Sequence, residues 1–575
     1  MDIGLHPSAQ VTKDTISLLT ISMKTEKTKP FLYRHQIRIA LAILILGFAL
    51  RLFMVFATEG YSLRLEDEVR DLGRAKAWLA GDVSARYLGA EPYDAGFRTP
   101  SFINHGLHAL LLSLHSSPLA PLFGMTILGT LSIWLTYLSL NVMFPSKPAY
   151  TLITTFMVAV FPFPVIFSTG IWNPNYIFPG SSIVLFGLVL WVFKEKPIGL
   201  VIASAGLVLL AQFHMIAIFL LCAFMSIWFV FRPKTSGGTL VLAAAPWVVF
   251  YGGYLLVDAI QGFANTRAFL HSGNYFMPEA LKIFSNPIFT PSTEISRWIS
   301  WRNFYLPTVG GGFFSKFASA LGPGFGEYMR FHNQALGSFV ISLVVNLLNV
   351  VFIVGSFVFV TGAGWQHMKK GRGDMVSYMR AHKAVYFVAL WVLVPALFYL
   401  LSTKAHSLRY TQIMWPFLFL FQVIFFFQEE KRDGFWKVYR IFFPFVLVYG
   451  LYVTCAFGVI THKRITESQE MVPSLVNLDA VSRMADKDAR DASGWAVFVP
   501  GNVDARSLHA FGIQRLNQYM DSVTRWGEKN DQEEPLPVIW YIVNEETYMP
   551  PDARKIKVGE FRNLVISRCS SEPGL

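Results

Sequence analysis

The sequence predicts a mainly α-helical, polytopic membrane bundle with a small C-terminal extracytoplasmic α/β domain. Three observations carry this: an apolar bulk, eleven apolar runs long enough to span a bilayer, and a basic excess confined to alternate connections. Of 575 residues, 53% are hydrophobic and only 15% are charged, with mean hydropathy +0.43. Soluble domains carry about 25% charged residues, so an ordinary soluble enzyme is excluded, and so is disorder over most of the chain.

A bilayer core of about 30 Å needs about 20 helical residues. Runs of that kind lie at 39–57, 118–144, 149–168, 174–193, 198–212, 214–231, 239–258, 336–360, 384–402, 411–428 and 438–460. Residues 198–231 divide into two short helices. As one helix they would reach about 51 Å, and basic residues at both ends (Lys194, Lys196; Arg232, Lys234) place both ends on one side. Gln212, Phe213 and His214 form the tip of that hairpin.

With the N-terminus inside, the cytoplasmic segments are 1–38, 145–148, 194–197, 232–236, 364–383 and 429–440. Their 83 residues hold 20 Lys and Arg against 8 Asp and Glu. The whole net charge of +12 therefore lies there, while the other 492 residues hold 29 of each sign. This is a positive-inside signal, and it leaves no basic, aromatic patch for nucleic acid. Residues 1–38 lack the pattern of a signal peptide and read as a disordered basic tail as far as Pro30. Cys222, Cys455 and Cys569 are too far apart for a disulfide framework or a CxxC metal pair.

Three long segments then face outward: 58–117, 259–335 and the tail 461–575. The tail, with 14 basic and 17 acidic residues, reads as helix (468–488), strand (495–499), helix (504–526) and two strands (537–543, 561–567). Residues 39–460 form the membrane domain. The stretch Gly310 to Gly326 lacks a following Lys-Ser/Thr, so it is a flexible segment rather than a phosphate loop.

The densest chemistry follows the first span: Arg64-Leu-Glu66-Asp67-Glu68-Val-Arg70-Asp71-Leu-Gly-Arg74. On an interfacial helix over 66–80, Asp67, Arg70, Asp71 and Arg74 share one face. A carboxylate among arginines stays ionised and can take a proton or hold an acceptor group; a salt-bridged surface helix would show the same pattern. Arg98, ahead of an apolar helix with His105 and His108, suits a lipid phosphate or simply snorkels. In Trp172-Asn173-Pro174-Asn175, Asn173 is expected to cap the next helix and Trp172 to anchor the interface. Gln212 and His214 are polar groups at membrane depth, site candidates or satisfied structural residues. The loop Lys404-Ala-His406-Ser-Leu-Arg409-Tyr410 puts cations on the outer face, where a phosphate ligand or anionic head groups would hold them. Arg51, inside the first span, is expected to pair with an acidic residue of the first loop or to snorkel outward.

Taken together, Asp67-Glu68-Val-Arg70, Trp172-Asn173-Pro174-Asn175, Gln212-Phe-His214 and Leu408-Arg409-Tyr410 followed by Trp415-Pro416 resemble the GT-C superfamily of integral-membrane glycosyltransferases. That superfamily includes aminoarabinose transferases, protein O-mannosyltransferases and Rgt-type bacterial enzymes, and the resemblance covers residues 39–460. It implies a GT-C-type bundle of about eleven spans in a bacterial inner membrane. The implied reaction is hexosyl or pentosyl transfer from a polyprenyl-phosphate donor to a lipid, polysaccharide or protein acceptor. Asp67 becomes the catalytic base. Glu68, Arg70, Arg98, His105, Trp172, Asn173, His214, His406, Arg409 and Tyr410 become substrate-binding. Arg98 stands where aminoarabinose transferases have a phosphate-binding Lys before Pro-Pro; this chain has Arg98-Thr-Pro100. The mechanism requires no metal in principle and no metal box is visible, although a divalent ion is compatible with it. The rival functions are transport or flipping, and polymerisation or ligation, of lipid-linked saccharides.

Orientation is checked by single-cysteine labelling from either side of the membrane. Cysteines placed in the tail after residue 461 should react from outside, and reaction only from the cytoplasm would invert the topology.

Overall fold

The computed structural model describes residues 31–60, 65–89, 98–214, 217–271, 375–401, 412–426, 435–467, 474–491, 495–498, 538–543, 554–562 and 564–570. Helix α1 (Phe31–Thr58) leads through a left-handed turn at Glu59 (φ 51°) and Gly60 (φ 73°) to α2 (Leu65–Leu79) and α3 (Val83–Tyr87). Then come α4 (Phe102–Leu114), α5 (Leu119–Met143), α6 (Pro148–Val160) and the single turn α7 (Pro162–Ile166). A 3₁₀ turn over Asn173–Tyr176 runs straight into α8 (Ile177–Phe193), followed by α9 (Ile198–Phe213), α10 (Ala217–Phe231), α11 (Gly237–Ile260) and α12 (Ala264–His271). Past the next described residue, Met375, the order is α13 (Met375–Ala381), α14 (Lys383–Leu401), α15 (Trp415–Phe426), α16 (Phe435–Glu467) and α17 (Leu475–Asp491). Strands β1 (Trp495–Phe498), β2 (Val538–Val543), β3 (Arg554–Phe561) and β4 (Leu564–Ser570) form one sheet in the order β1-β2-β4-β3. Its β1–β2 pair is parallel and its other two pairs are antiparallel.

Each expected apolar run among the described residues is helical, and 336–360 lies outside them. By length and composition, four helices are long and apolar enough to cross a bilayer: Phe31–Thr58, Leu119–Met143, Asn173–Phe193 with its 3₁₀ turn, and Gly237–Ile260. Several others, including Pro148–Val160, Ile198–Phe213 and Ala217–Phe231, are apolar but shorter. The hairpin expected over 198–231 is the pair α9 and α10, and the tail helix expected at 468–488 begins at Leu475. The helix expected over 504–526 lies outside the described residues.

Two expectations are corrected by the break in the run 149–168. The run is two helices, because Phe161 is extended (φ −70°, ψ 148°) ahead of Pro162 and Pro164. Proline has no N–H, so the carbonyls of Val158 and Val160 lose their donors four residues on. Arg51 supplies much of the deficit. It is fully buried, and all five of its N–H groups are used: Nε donates to Ser168 Oγ (2.7 Å), Nη1 to the carbonyls of Gly47 (3.0 Å) and Ala159 (2.9 Å), and Nη2 to those of Val158 (3.3 Å) and Pro164 (3.1 Å). Thr454 Oγ1 of α16 donates to Val160 O at 2.8 Å. Arg51 therefore neither pairs with a first-loop acid nor snorkels. Its partners are the carbonyls of Val158, Ala159 and Pro164 around the break, the Gly47 carbonyl of its own helix and the hydroxyl of Ser168. Gly129 on α5 makes the room, since a Cβ there would stand 2.4 Å from Ser168 Cβ and 3.1 Å from Arg51 Nε.

The C-terminal segment docks on the end of α1. Arg562 clasps the Glu59 carboxylate with both terminal nitrogens, Nη1 to Oε2 at 2.7 Å, and Nη1 also reaches Asn477 Oδ1 at 3.0 Å. Leu475, Leu478, Val481, Ala485 and Ile566 share one apolar cluster with Val55, Val69 and Leu72, so α17 and the sheet rest on α1 and α2.

Replacing Arg51 with Leu should cost on the order of 2–5 kcal/mol, because several buried carbonyls lose their donors at once. The check is thermal unfolding of the purified protein in detergent. Arg51→Lys, with a single nitrogen in place of the fork, should fall between; a Leu variant melting with the wild type would refute the role.

Candidate functional site

The sequence motifs meet at one end of the bundle, where α1, α9 and α11 end and the 3₁₀ turn and α15 begin. The break at Phe161–Pro164 turns the chain out of α6, and residues 167–172 cross to α2. There Glu68, fully buried, accepts the Trp172 N–H through Oε1 at 3.0 Å. Gly170 permits this approach: a Cβ would sit 2.8 Å from Asn175 Nδ2 and 3.1 Å from Glu68 Oε1.

Trp172 is buried, so it is not the interface anchor expected. Asn173 does not cap a helix. It is the first residue of the 3₁₀ turn, with no side-chain cap at that terminus, and its Nδ2 donates to Phe213 O at 3.3 Å. This ties the Trp172 loop to the tip of the α9–α10 hairpin. Gln212 there is satisfied on both sides, accepting from Ile103 N (3.3 Å) and donating to Phe250 O (2.9 Å). His214 ends α9 in an extended conformation. Gln412 Nε2 donates to Pro174 O at 3.1 Å, adding the start of α15 to the assembly. His406, Arg409 and Tyr410 lie outside the described residues. Asp67 belongs to α2, and its side chain is likewise outside the description.

The best-surrounded acid is Asp71, which was read only as part of the charged face of α2. It is 2% exposed. Oδ2 accepts from Asn104 Nδ2 at 3.2 Å, Arg70 Nη2 stands 3.5 Å from Oδ1, and His105 Nε2 stands 4.0 Å from it. Burial pushes the Asp71 carboxyl up, but the Arg70 charge first, and then the nearby imidazoles of His105 and His108, bring it below the ordinary carboxylate range. His105 Nδ1 lies 3.1 Å from Ala85 O and its Nε2 3.4 Å from Ser101 Oγ. His108 Nε2 meets the Tyr176 hydroxyl at 3.1 Å, and Tyr176 stacks on Phe213 with centroids 3.9 Å apart. His108 Nδ1 has no hydrogen-bond partner among the described residues. Burial lowers its pKa to about 4, outweighing the opposing Asp71 charge, with His105 adding to the fall.

Arginines gather on the more open side of α2. Arg70 and Arg74 are one turn apart and partly exposed, as is Arg98. Arg74 is lowered from its usual pKa by burial first and by the charge of Arg98 next; Asp82 opposes, Arg70 adds, and Asp71 opposes. Like charges this close are the setting of an anion site. Among the described residues no group of three or more His, Cys, Asp or Glu could hold a metal ion.

Sequence reasoning put Asp71 on the charged face of α2 without singling it out, and missed Asn104, Tyr176 and Gln412 as site-forming residues. The spacings of Asp67, Arg70, Asp71 and Arg74 on α2 and of His105 and His108 on α4 were the usable signals.

No family model and no curated protein matches the chain. Among solved structures it is similar to ArnT from Cupriavidus metallidurans bound to undecaprenyl phosphate. The identity is 11% and the TM-score 0.47, with 92% of this chain and 97% of that chain covered. It is also similar to the Archaeoglobus fulgidus oligosaccharyltransferase in the apo form, at 13% identity and TM-score 0.42, covering 90% of this chain and 70% of that one. Identities and TM-scores this low do not carry an activity from one chain to another.

The Asp71–His108 network makes the fold acid-sensitive. With His108 depressed from 6.5 to about 4, the unfolded chain binds a proton that the folded one refuses as pH falls through that window. Stability is therefore complete above about pH 6.5 and declines toward pH 4. Asp71, also lowered, adds a loss in the same direction as pH falls through its own titration. His108→Phe should make the fall in Tm between pH 6.5 and 4 shallower, and an unchanged slope would count against the network.

Proposed function

We propose that this chain is a membrane glycosyltransferase that moves a sugar from a polyprenyl-phosphate donor to a lipid, polysaccharide or protein hydroxyl, with inversion, on the outer face of the membrane. One observation carries the reading: segments 40 to 238 residues apart in sequence, those on which the resemblance rests, are hydrogen-bonded to one another. Glu68 holds the Trp172 N–H, Asn173 holds the Phe213 carbonyl, and Gln412, two residues past Tyr410, holds the Pro174 carbonyl.

In this reading the acceptor hydroxyl attacks the anomeric carbon opposite the lipid phosphate. The new C–O bond forms as the bond from that carbon to the phosphate oxygen breaks, and the phosphate leaves with the electron pair. Asp67, on the first turn of α2, takes the hydroxyl proton, a role worth roughly 10²- to 10⁴-fold in rate. Arg98, with Arg70 beside it and Arg409 from the loop before Gln412, meets the charge that develops on the leaving phosphate. Glu68 and His105 are buried, so in this reading they shape the pocket from behind. The arrangement asks for about eleven spans, a cytoplasmic N-terminus and an extracytoplasmic tail domain, as the loop charges predict.

The test is transfer from a polyprenyl-phosphate sugar by the purified protein in lipid. Asp67→Asn should lower the rate by roughly 10²- to 10⁴-fold while the donor still binds. Full transfer by that variant would remove Asp67 from the reaction.

A further inference from the structure

Arg98 is held by its backbone from two sides. Within the first outer loop, Gly89 N donates to Thr99 O at 2.6 Å and Ser101 N to Tyr87 O at 3.4 Å, around an isolated bridge between Leu88 and Pro100. From the other side comes Asn265 of α12, 167 residues later in the chain. Its Oδ1 accepts the Arg98 N–H at 2.5 Å and its Nδ2 donates to the Arg98 carbonyl at 2.9 Å. One side-chain amide thus reproduces the two bonds that a paired strand would make. The Tyr254 hydroxyl donates to the same carbonyl at 3.1 Å and accepts from Asn265 Nδ2.

The amide is itself fixed. Asp258, fully buried at the end of α11, accepts the Asn265 N–H through Oδ1 (2.8 Å) and the Thr266 N–H through Oδ2 (3.0 Å), with the Thr266 hydroxyl on the same oxygen. Asn265 is 8% exposed, whereas Arg98 is only half-buried. A desolvated support therefore stands behind a half-buried arginine whose charge is felt at Arg74. Holding a cation in place against its like-charged neighbours costs free energy, and that cost returns as affinity when an anion arrives.

We propose that Asn265, with Tyr254 and Asp258 behind it, is a positioning residue that sets Arg98 for the phosphate of the lipid-linked donor. The assignment rests on the proposed role of Arg98 in phosphate binding. It makes α11 and α12 part of donor recognition, although neither holds a residue of the four motifs.

The experiment uses the full chain in nanodiscs, with a polyprenyl monophosphate as the probe and the uncharged polyprenol as the reference, followed by transfer kinetics. Asn265→Leu should weaken the monophosphate about tenfold, the scale of one charge-assisted hydrogen bond, and raise the donor KM more than it lowers kcat. Polyprenol binding should not change. In an Arg98→Ala background Asn265→Leu should add nothing, since both changes act on one guanidinium. Additive losses, or an equal loss of polyprenol binding, would overturn the proposal. If Asn265→Leu does not fold, Tyr254→Phe decides, with a smaller loss of the same kind expected and unchanged binding refuting it. If Arg98→Ala leaves monophosphate binding intact, the phosphate role of Arg98 fails and takes the proposal with it. If Arg98→Ala weakens binding and Asn265→Leu does not, only the positioning role fails.

Discussion

Arg51 and the carbonyls it collects are the constraint on which the rest of the molecule depends. A buried guanidinium is costly unless all its donors are satisfied, and a helix broken at Pro162 leaves buried carbonyls that are costly unless they find donors. Each defect answers the other. Because Arg51 is in the first helix and the break follows α6, their bonding locks α1 to α6 and α7 at one depth. Without the break, the run 149–168 would continue as a helix, and residues 167–172 would not cross to Glu68.

The site is consequently a meeting of ends. The 3₁₀ turn, the end of α9, α11 and the residues before α15 reach one another through side-chain bonds to backbone carbonyls: Asn173 to Phe213, Gln212 to Phe250, Gln412 to Pro174. At Phe213 such a bond satisfies a carbonyl exposed where α9 stops, which a bilayer would otherwise leave unpaired. The C-terminal segment adds a second brace. Arg562 grips Glu59 at the turn between α1 and α2, and the apolar face of α17 covers the helix that carries Asp67 and Asp71. The helix α2 is therefore packed against the C-terminal segment as well as against the bundle.

Much of the helical plan was legible because it follows from one-dimensional rules. Apolar runs begin and end where charges and prolines appear, and the split of 198–231 was forced by length and by basic residues at both ends. Arg51 was misread for a reason specific to membranes. A charge in an apolar run prompts a search for an opposite charge, yet five neutral acceptors gathered at a helix break serve as well. Asn173 was misread because a cap and a tertiary donor look alike in sequence. Asp71 was passed over in favour of Asp67 because only packing shows that Asn104, Arg70 and His105 surround it.

The sequence alone determined that the chain is rich in membrane-type apolar helices, which segments carry the excess positive charge and where the long apolar helices lie. These are sums and periodicities, set by solvent preference along the chain. Tertiary structure decided which acid is enclosed, which carbonyls Arg51 satisfies and why Arg98 is anchored by Asn265. Those outcomes depend on distances between residues some thirty to more than a hundred and sixty positions apart, where hydrogen bonds form or fail within a few tenths of an ångström and no local pattern records the result.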